Sequence, residues 1–309
     1  MDLTLIVAGF VVGVVVGLTG MGGGALMTPM LVLFFGVPPL AAVSSDLVAS
    51  LVMKPVGGLV HLRRGTVHGG LVRWLCVGSV PSAFAGVLLA RSLGRGERLQ
   101  EIISIALGVA LLLAVVGLAL RAYLSLRERS RGGDRAAEPA LGRPPVRPLP
   151  TVLVGAVGGL VVGMTSVGSG SLIIVALLML YPALKAGDLV GTDLVQAVPL
   201  VASAALAHLL FGDFRLGLTV ALLIGALPGV YLGARLSSRA PSGVVRRALG
   251  LVLLASGLKM LGAGNLLLVG ALVVGLLACV PGWMWLRTWH GLPALNRSRP
   301  APVPAAADN

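Results

Sequence analysis

Gly17-Leu-Thr-Gly-Met-Gly-Gly-Gly24 and Gly163-Met-Thr-Ser-Val-Gly-Ser-Gly170 interrupt two apolar runs of this chain in the same manner. The likeness extends outward from both. Gly9, Gly13, Gly17, Thr19, Gly22, Gly24 and Leu26 match Gly155, Gly159, Gly163, Thr165, Gly168, Gly170 and Leu172 at an offset of 146. After one inserted residue, Asp46, Leu47, Val48, His61, Gly65, Pro81 and Gly86 match Asp193, Leu194, Val195, His208, Gly212, Pro228 and Gly233 at 147. A duplicated unit whose apolar helix breaks at the same place in each copy is the sequence mark of a transporter's central binding site.

The composition agrees. Of 309 residues, 57% are hydrophobic and 11% charged, against about 25% charged in soluble domains; the mean hydropathy is +0.99. Segments 40–61, 70–90, 99–120, 188–211, 216–234, 248–261 and 264–286 approach or reach the length of a membrane span, roughly 20 residues. Segments 3–19, 25–36, 151–164 and 171–183 are shorter and form the glycine-broken pairs, either re-entrant hairpins or tilted short spans. The expected fold is all-α: a polytopic helical membrane protein of two inverted repeats, each with one broken pair. A β-barrel would alternate in short segments instead. The units are a first repeat (1–120), a basic linker (121–150), a second repeat (151–262), an added C-terminal helix (263–290) and a disordered Pro/Ala-rich tail (291–309).

The net charge of +13 would suggest nucleic acid in a soluble protein. Here the arginines fall between spans, where they set orientation and meet lipid headgroups. No basic surface studded with aromatics serves a nucleic acid, so the bilayer is the expected partner; a homo-oligomer is allowed. The linker carries seven Arg against three acids, and Arg235, Arg239, Arg246 and Arg247 sit in a loop without acids. Placing the linker, that loop and the tail in the cytoplasm puts the N-terminus outside and starts the repeats from opposite faces. The loop with Arg91, Arg95 and Arg98 then lies outside, against the charge rule. Cys76 and Cys279 have no metal spacing and read as packing residues. Met1-Asp2-Leu3 lacks the positive region of a cleaved signal.

The glycine turns define the expected site. Glycine permits positive φ and close backbone approach, and a helix that restarts after the break offers free N–H groups and the positive end of its dipole. With Thr19, Gly20, Gly22, Gly23 and Gly24 in one copy and Thr165, Ser166, Gly168, Ser169 and Gly170 in the other, this is an electropositive nest for a small oxyanion. The upstream glycines, at spacing four, read first as helix-packing contacts. Lys54, mid-segment, must face the interior, to draw an anion or pair with Asp46. Asp46 and Asp193 read as helix-start acids or as coupling groups; His61 and His208 as helix-end caps or proton carriers. Pro81 and Pro228 read as kinks. No Walker lysine, metal helix or nucleophile elbow is present, so no cofactor, metal or enzymatic activity is expected.

These residues resemble the TauE/SafE family of membrane permeases. The resemblance spans about 5–90 and 152–262 and rests on Gly17–Gly24 with Pro29, His61-Leu-Arg-Arg-Gly-Thr-Val67, Gly78-Ser-Val-Pro81 with Gly86, Gly163–Gly170, Gly225-Ala-Leu-Pro228-Gly229 and Gly233. It implies export of a small, often sulfur-containing anion across the inner or plasma membrane. The chain departs from the pattern in Asp46 and Asp193, in Ser44-Ser45 and in the added apolar segment. The expectation is a secondary exporter of sulfite or an organosulfonate, driven by an ion or substrate gradient. The rivals are a divalent-cation or other small-solute permease and a non-transporting membrane scaffold.

Overall fold

The structure, a computed structural model, describes residues 3–19, 23–63, 65–94, 96–130, 145–168, 170, 172–182, 184, 186–236, 242–278 and 288. Eleven helices lie among them: α1 Leu3–Thr19, α2 Gly24–Phe35, α3 Pro39–Arg63, α4 Gly69–Leu93, α5 Gly96–Ser130, α6 Pro148–Thr165, α7 Leu172–Leu180, α8 Ala186–Phe211, α9 Leu216–Leu236, α10 Ser242–Met260 and α11 Asn265–Leu277. Five (α4, α6, α9 and the apolar stretches of α5 and α8) are long and apolar enough to cross a bilayer. The chain is a multi-pass helical membrane protein.

Local chemistry sets the boundaries. Gly36 closes α2 in the left-handed region (φ 62), returning its N–H to Leu31 O, and Pro39 opens α3 three residues on. His68 caps α4 by accepting from Leu71 N. Pro148, with no N–H to lose, opens α6. α5 outlasts its expected end at residue 120 and runs to Ser130, because Ala122–Arg129 holds good helix formers and no Gly or Pro. The start of the expected linker is therefore helix; 131–144 and the tail lie outside the described residues.

The packing crosses between the copies. α1 lies along α9, and α6 along α4, so each repeat's first helix packs on the other repeat's fourth; α3 pairs with α8 and α5 with α10. The spaced glycines make these contacts. A Cβ on Gly9, Gly13 or Gly17 would press on the α9 backbone at Leu222, Ala226 and Val230, and one on Gly225, Gly229 or Gly233 on α1 at Ile6, Phe10 and Val14. In the matching pair, Gly155, Gly159 and Gly163 abut Leu75, Ser79 and Ala83, while Gly78 and Gly86 abut Val152 and Leu160. Lipid supplies no hydrophobic drive between helices, so backbone-close packing of small residues has to. The packing reading of the upstream glycines holds.

Three clusters fill the interior. Val43, Leu47, Leu71, Leu75, Leu200 and Val201 pack between α3, α4 and α8. Val16, Met27, Leu31, Met53 and Leu222 pack between α1, α2, α3 and α9. Ala25 and Val167, beside the glycine breaks, pack on Leu107, Leu111, Leu249 and Leu253 of α5 and α10. α11 buries no residue and leaves Leu266 90% exposed, as a lipid-facing helix would.

Gly163→Val should cost about 3 kcal/mol, since its side chain meets the Ala83 carbonyl and backbone cannot yield. Thermal unfolding in detergent should show the loss, and Gly270→Ala, with nothing within 4 Å of the new methyl, should leave the transition in place.

Candidate functional site

α1 stops at Thr19 and α2 resumes at Gly24; Gly20, Met21 and Gly22 lie outside the described residues. The Gly23 carbonyl accepts from Leu26 and Met27 N–H at 3.0 and 2.9 Å, starting α2 without a side-chain cap. α6 stops at Thr165. Ser166 then adopts φ 61, a left-handed conformation unusual for a residue with a Cβ, with its N–H bonded to Val162 O at 2.7 Å. Gly168 (φ 128) accepts from Leu172 and Ile173 N–H at 3.0 and 3.3 Å to start α7. Ser169 is outside the described residues.

The two breaks meet. A Cβ on Gly24 would strike the Ser166 carbonyl oxygen, so only glycine fits where the copies touch. Ser166 Oγ donates to Asp46 Oδ2 at 2.6 Å, and Thr28 Oγ1 on α2 donates to the same oxygen at 2.9 Å. One carboxylate thus binds α3, α2 and the second break together.

Asp46 and Asp193 each stand seven residues inside their helix, after Pro39 and Ala186, and are buried. The helix-start reading of both acids is thereby corrected, since each helix begins two turns earlier than the acid. Asp193 Oδ1 accepts from Gln196 Nε2 at 3.0 Å, and Gln196 Oε1 accepts from Ser79 Oγ of α4 at 3.2 Å. Lys54 is buried on α3, and its charge acts on Asp193 and Asp46. Asp46 Oδ1 has no hydrogen-bond partner among the described residues. It looks toward Gly23: a Cβ there would lie 3.7 Å from Oδ1, 3.7 Å from Met53 Cε and 4.0 Å from Ser50 Oγ.

The remaining expected residues divide. Thr19 Oγ1 donates to Val15 O at 2.8 Å and Thr165 Oγ1 to Val161 O at 2.6 Å, so both hydroxyls bond within their own last turn. Gly168 and Gly170 lie in the second break. His208 is buried, not a surface cap. Its Nε2 meets Gly163 O at 2.8 Å, where it must donate, and its Nδ1 meets Ser44 Oγ at 2.8 Å, tying α8 to α6 and α3. His61 is half-buried at the end of α3, with Nδ1 2.9 Å from Thr66 Oγ1. Thr28 and Ser79 escaped the sequence reading. Their only signal was a hydroxyl inside an apolar helix, and their counterparts are Ile174 and Ala226.

Chemically, the centre is a buried polar cluster of two carboxylates, one ammonium, three hydroxyls and a carboxamide. Hydroxyl donors suited to an oxyanion are held by the protein's own Asp46. Among the described residues no three His, Cys, Asp or Glu side chains converge as metal ligands.

With this geometry in view, comparison with known proteins is direct. Residues 5–260 match the family model "Sulfite exporter TauE/SafE". The Bacillus subtilis (strain 168) "Probable membrane transporter protein YjnA" is 37% identical over 267 residues, 84% of this chain and all of that protein. The same organism's "Probable membrane transporter protein YdhB" is 23% identical over 264 residues, again all of its length. "Probable membrane transporter protein YunE" is 34% identical over 97 residues, 31% of this chain and 34% of that protein. No solved structure matches. The chain belongs to the TauE/SafE family, whose members are membrane transporters and not enzymes.

Ser166→Ala deletes a hydrogen bond to a buried carboxylate and should cost about 1.5–3 kcal/mol. Ser166→Gly loses the same bond but relieves the left-handed strain, and should cost about 1 kcal/mol less. Denaturation of the two purified variants in one detergent checks the order.

Proposed function

From membership of a transporter family, we propose that this chain is a secondary transporter exporting a small anion, sulfite or an organosulfonate, across the inner or plasma membrane by alternating access. The observation that carries the reading is the contact of the two glycine breaks, Gly24 against Ser166, over a buried polar centre on α3 and α8. A scaffold gains nothing from unwound backbone and charge at membrane depth, which cost stability. A divalent-cation cargo is disfavoured by Lys54, an ammonium acting on both candidate ligand carboxylates.

In this reading the anion sits between the breaks. Backbone N–H groups of the 20–24 and 168–170 segments, with Thr19, Thr165, Ser166 and Ser169, line its site; Lys54 supplies the compensating charge. Asp46, Asp193, His61 and His208 are the coupling candidates. The exchanged packing of α1 on α9 and α6 on α4 supports two repeats related by a two-fold in the membrane plane, hence inverted, with the 121–150 segment and the C-terminus cytoplasmic.

Alternating access draws support from an asymmetry. α8 lies much more closely along α4 than α3 lies along α9, although these pairs correspond. Phe84 and Phe211 stack edge-to-face at 6.0 Å, Ser203 Oγ donates to Val80 O at 2.7 Å, and His68 N donates to Thr192 Oγ1 at 3.0 Å. Across α3 and α9, the counterparts of Val80 and Phe84 are Leu227 and Tyr231, 41% and 59% exposed. Ser45, the counterpart of Thr192, has a hydroxyl without a partner among the described residues. A cycle that closes α3 on α9 and parts α4 from α8 exchanges the two conditions, bringing Ser45 to the N–H of Arg215, the counterpart of His68.

Two measurements test this. Proteoliposomes should take up labelled sulfite, sulfoacetate or isethionate, and Lys54→Met should cut that flux at least tenfold; flux of a divalent cation alone would overturn the reading. In a Cys76→Ala/Cys279→Ala background, the Thr192→Cys/His68→Cys pair and the Ser45→Cys/Arg215→Cys pair should cross-link in opposite proportion as substrate is added.

A further inference from the structure

Asp46 poses a problem that the rest of the site sharpens. Its carboxylate is fully buried, and Oδ2 takes the hydroxyls of Ser166 and Thr28. These are the donors a negatively charged guest needs at the junction of the two breaks, so the protein's own carboxylate stands where that guest would bind. Oδ1 has no partner among the described residues. A buried oxygen without a donor is costly, and Oδ1 stands beside Gly23 at the first break, where a bound proton would remove that cost.

The surroundings of Oδ1 decide between a metal cation and a proton. Hard cations need a cage of several oxygens. A Cβ on Gly23 would lie 3.7 Å from Oδ1, 3.7 Å from the Met53 methyl and 4.0 Å from the Ser50 hydroxyl, and among the described residues no three His, Cys, Asp or Glu side chains converge to cage an ion. A proton needs only the oxygen it binds and one acceptor. The charged groups nearby are few. Lys54 faces Asp46 from its own helix, and Asp193 on α8 shares that lysine. α2 and α6 carry no charged residue. α5 and α9 keep theirs at their ends: Glu97, Arg98 and Glu101, then Arg121 onward, on α5, and Arg235 on α9. His208 on α8 is engaged with Ser44 and Gly163.

We propose that Oδ1 of Asp46 is the proton-binding site of the transport cycle, and that one proton travels with each anion. The proposal rests on the anion-transport reading above. A proton from water on the loading side binds Oδ1 and turns the carboxylate into a neutral carboxylic acid. Oδ2 then accepts less strongly, and the Ser166 and Thr28 hydroxyls turn to the arriving anion. With Asp46 charged, a monoanion would join two carboxylates and one ammonium; with Asp46 protonated, the guest replaces the charge that the proton removed. On the far side the anion leaves, the proton returns to water, and the carboxylate recovers both hydroxyls. Movement of a monoanion is electroneutral, and Asp46 cannot give up its proton early without expelling the guest from the same donors.

The test uses the full chain in proteoliposomes enclosing a pH-sensitive dye, with valinomycin and potassium holding the membrane potential at zero. The probe is labelled isethionate, with methanesulfonate beside it, because a sulfonate stays ionised through the neutral range and brings no proton itself. Internal pH should fall in step with sulfonate entry, one proton per anion. A pH step of about one unit should drive accumulation toward about tenfold. In Asp46→Asn, whatever flux survives should move no protons and ignore the pH step, while Asp46→Glu should keep both. Sulfonate entry without acidification, or entry that follows an imposed sodium gradient, would overturn proton coupling and leave anion transport standing. An unchanged proton-to-anion ratio in Asp46→Asn would remove the site from Asp46. If sulfite alone moves, wild type and Asp46→Asn are compared at fixed sulfite, where only wild type should respond to the pH step. Absence of flux for every anion would overturn the transport reading itself.

Discussion

Broken helices inside a membrane protein leave backbone groups that lipid cannot satisfy, and this constraint organises the molecule. Each break frees several N–H and C=O groups, and an unsatisfied one in hydrocarbon costs several kcal/mol. The available covering is the protein itself. Ala25 and Val167, flanking the two breaks, pack into one cluster on α5 and α10. Gly24 lies against Ser166 so closely that no side chain intervenes. Once the breaks are buried against each other, any polar function they serve is also buried. Two unit charges about 4 Å apart in such surroundings interact by about 4 kcal/mol at an effective dielectric of about 20. A cluster of Asp46, Asp193 and Lys54 is therefore a strongly determined electrostatic object, and adding or removing one charge there changes what it can hold.

The glycine-lined pairs supply the rigid parts. α1 with α9 and α6 with α4 approach to backbone contact along their lengths, and such contacts tolerate little sliding. The looser seams run where α3 meets α9 and α8 meets α4, and these seams differ in how far they are closed. Rigid pairs joined by unequal seams suit motion of whole bodies rather than bending within helices. The central helices α3 and α8 each form one side of a seam, and they carry Asp46, Lys54 and Asp193. A charge change at Asp46 or Asp193 is thus felt at the surfaces that the proposed cycle parts and closes.

The helices were largely legible in the sequence, because apolar length and glycine punctuation are local signals. The segments expected at 40–61, 70–90, 188–211 and 216–234 correspond to Pro39–Arg63, Gly69–Leu93, Ala186–Phe211 and Leu216–Leu236. α5 escaped the expectation only where the chain leaves the apolar run and hydropathy stops reporting on helix. The centre was less legible. The hydroxyls of the matched residues Thr19 and Thr165 bond within their own turns, a pairing that the glycine pattern did not announce. The matched histidines share a sequence position but not an environment: His208 is buried between three helices and His61 sits beside a turn. The partnership of Asp46 with Ser166 spans 120 residues, and no periodicity announces such a pairing.

The reason lies in what duplication preserves. The features repeated in both copies, namely the breaks, the spaced glycines and the aspartates, build the scaffold. The groups that give the centre its polarity stand where the copies differ: Thr28 opposite Ile174, Ser166 opposite Gly20, Gln196 opposite Ala49, Ser79 opposite Ala226 and Lys54 opposite Val201. Electrostatics makes this divergence necessary. Asp193 and Asp46 both feel Lys54, so a second lysine at Val201 would add another buried ammonium on α8, and a lysine in neither copy would leave two buried carboxylates uncompensated. One lysine between two aspartates keeps the cluster within one unit of neutrality. The same asymmetry gives Asp46 the hydroxyls of both Thr28 and Ser166, whereas Asp193 takes the carboxamide of Gln196. The two acids are therefore different instruments despite their matched positions: one is held by groups a guest could claim, the other by a partner on its own helix.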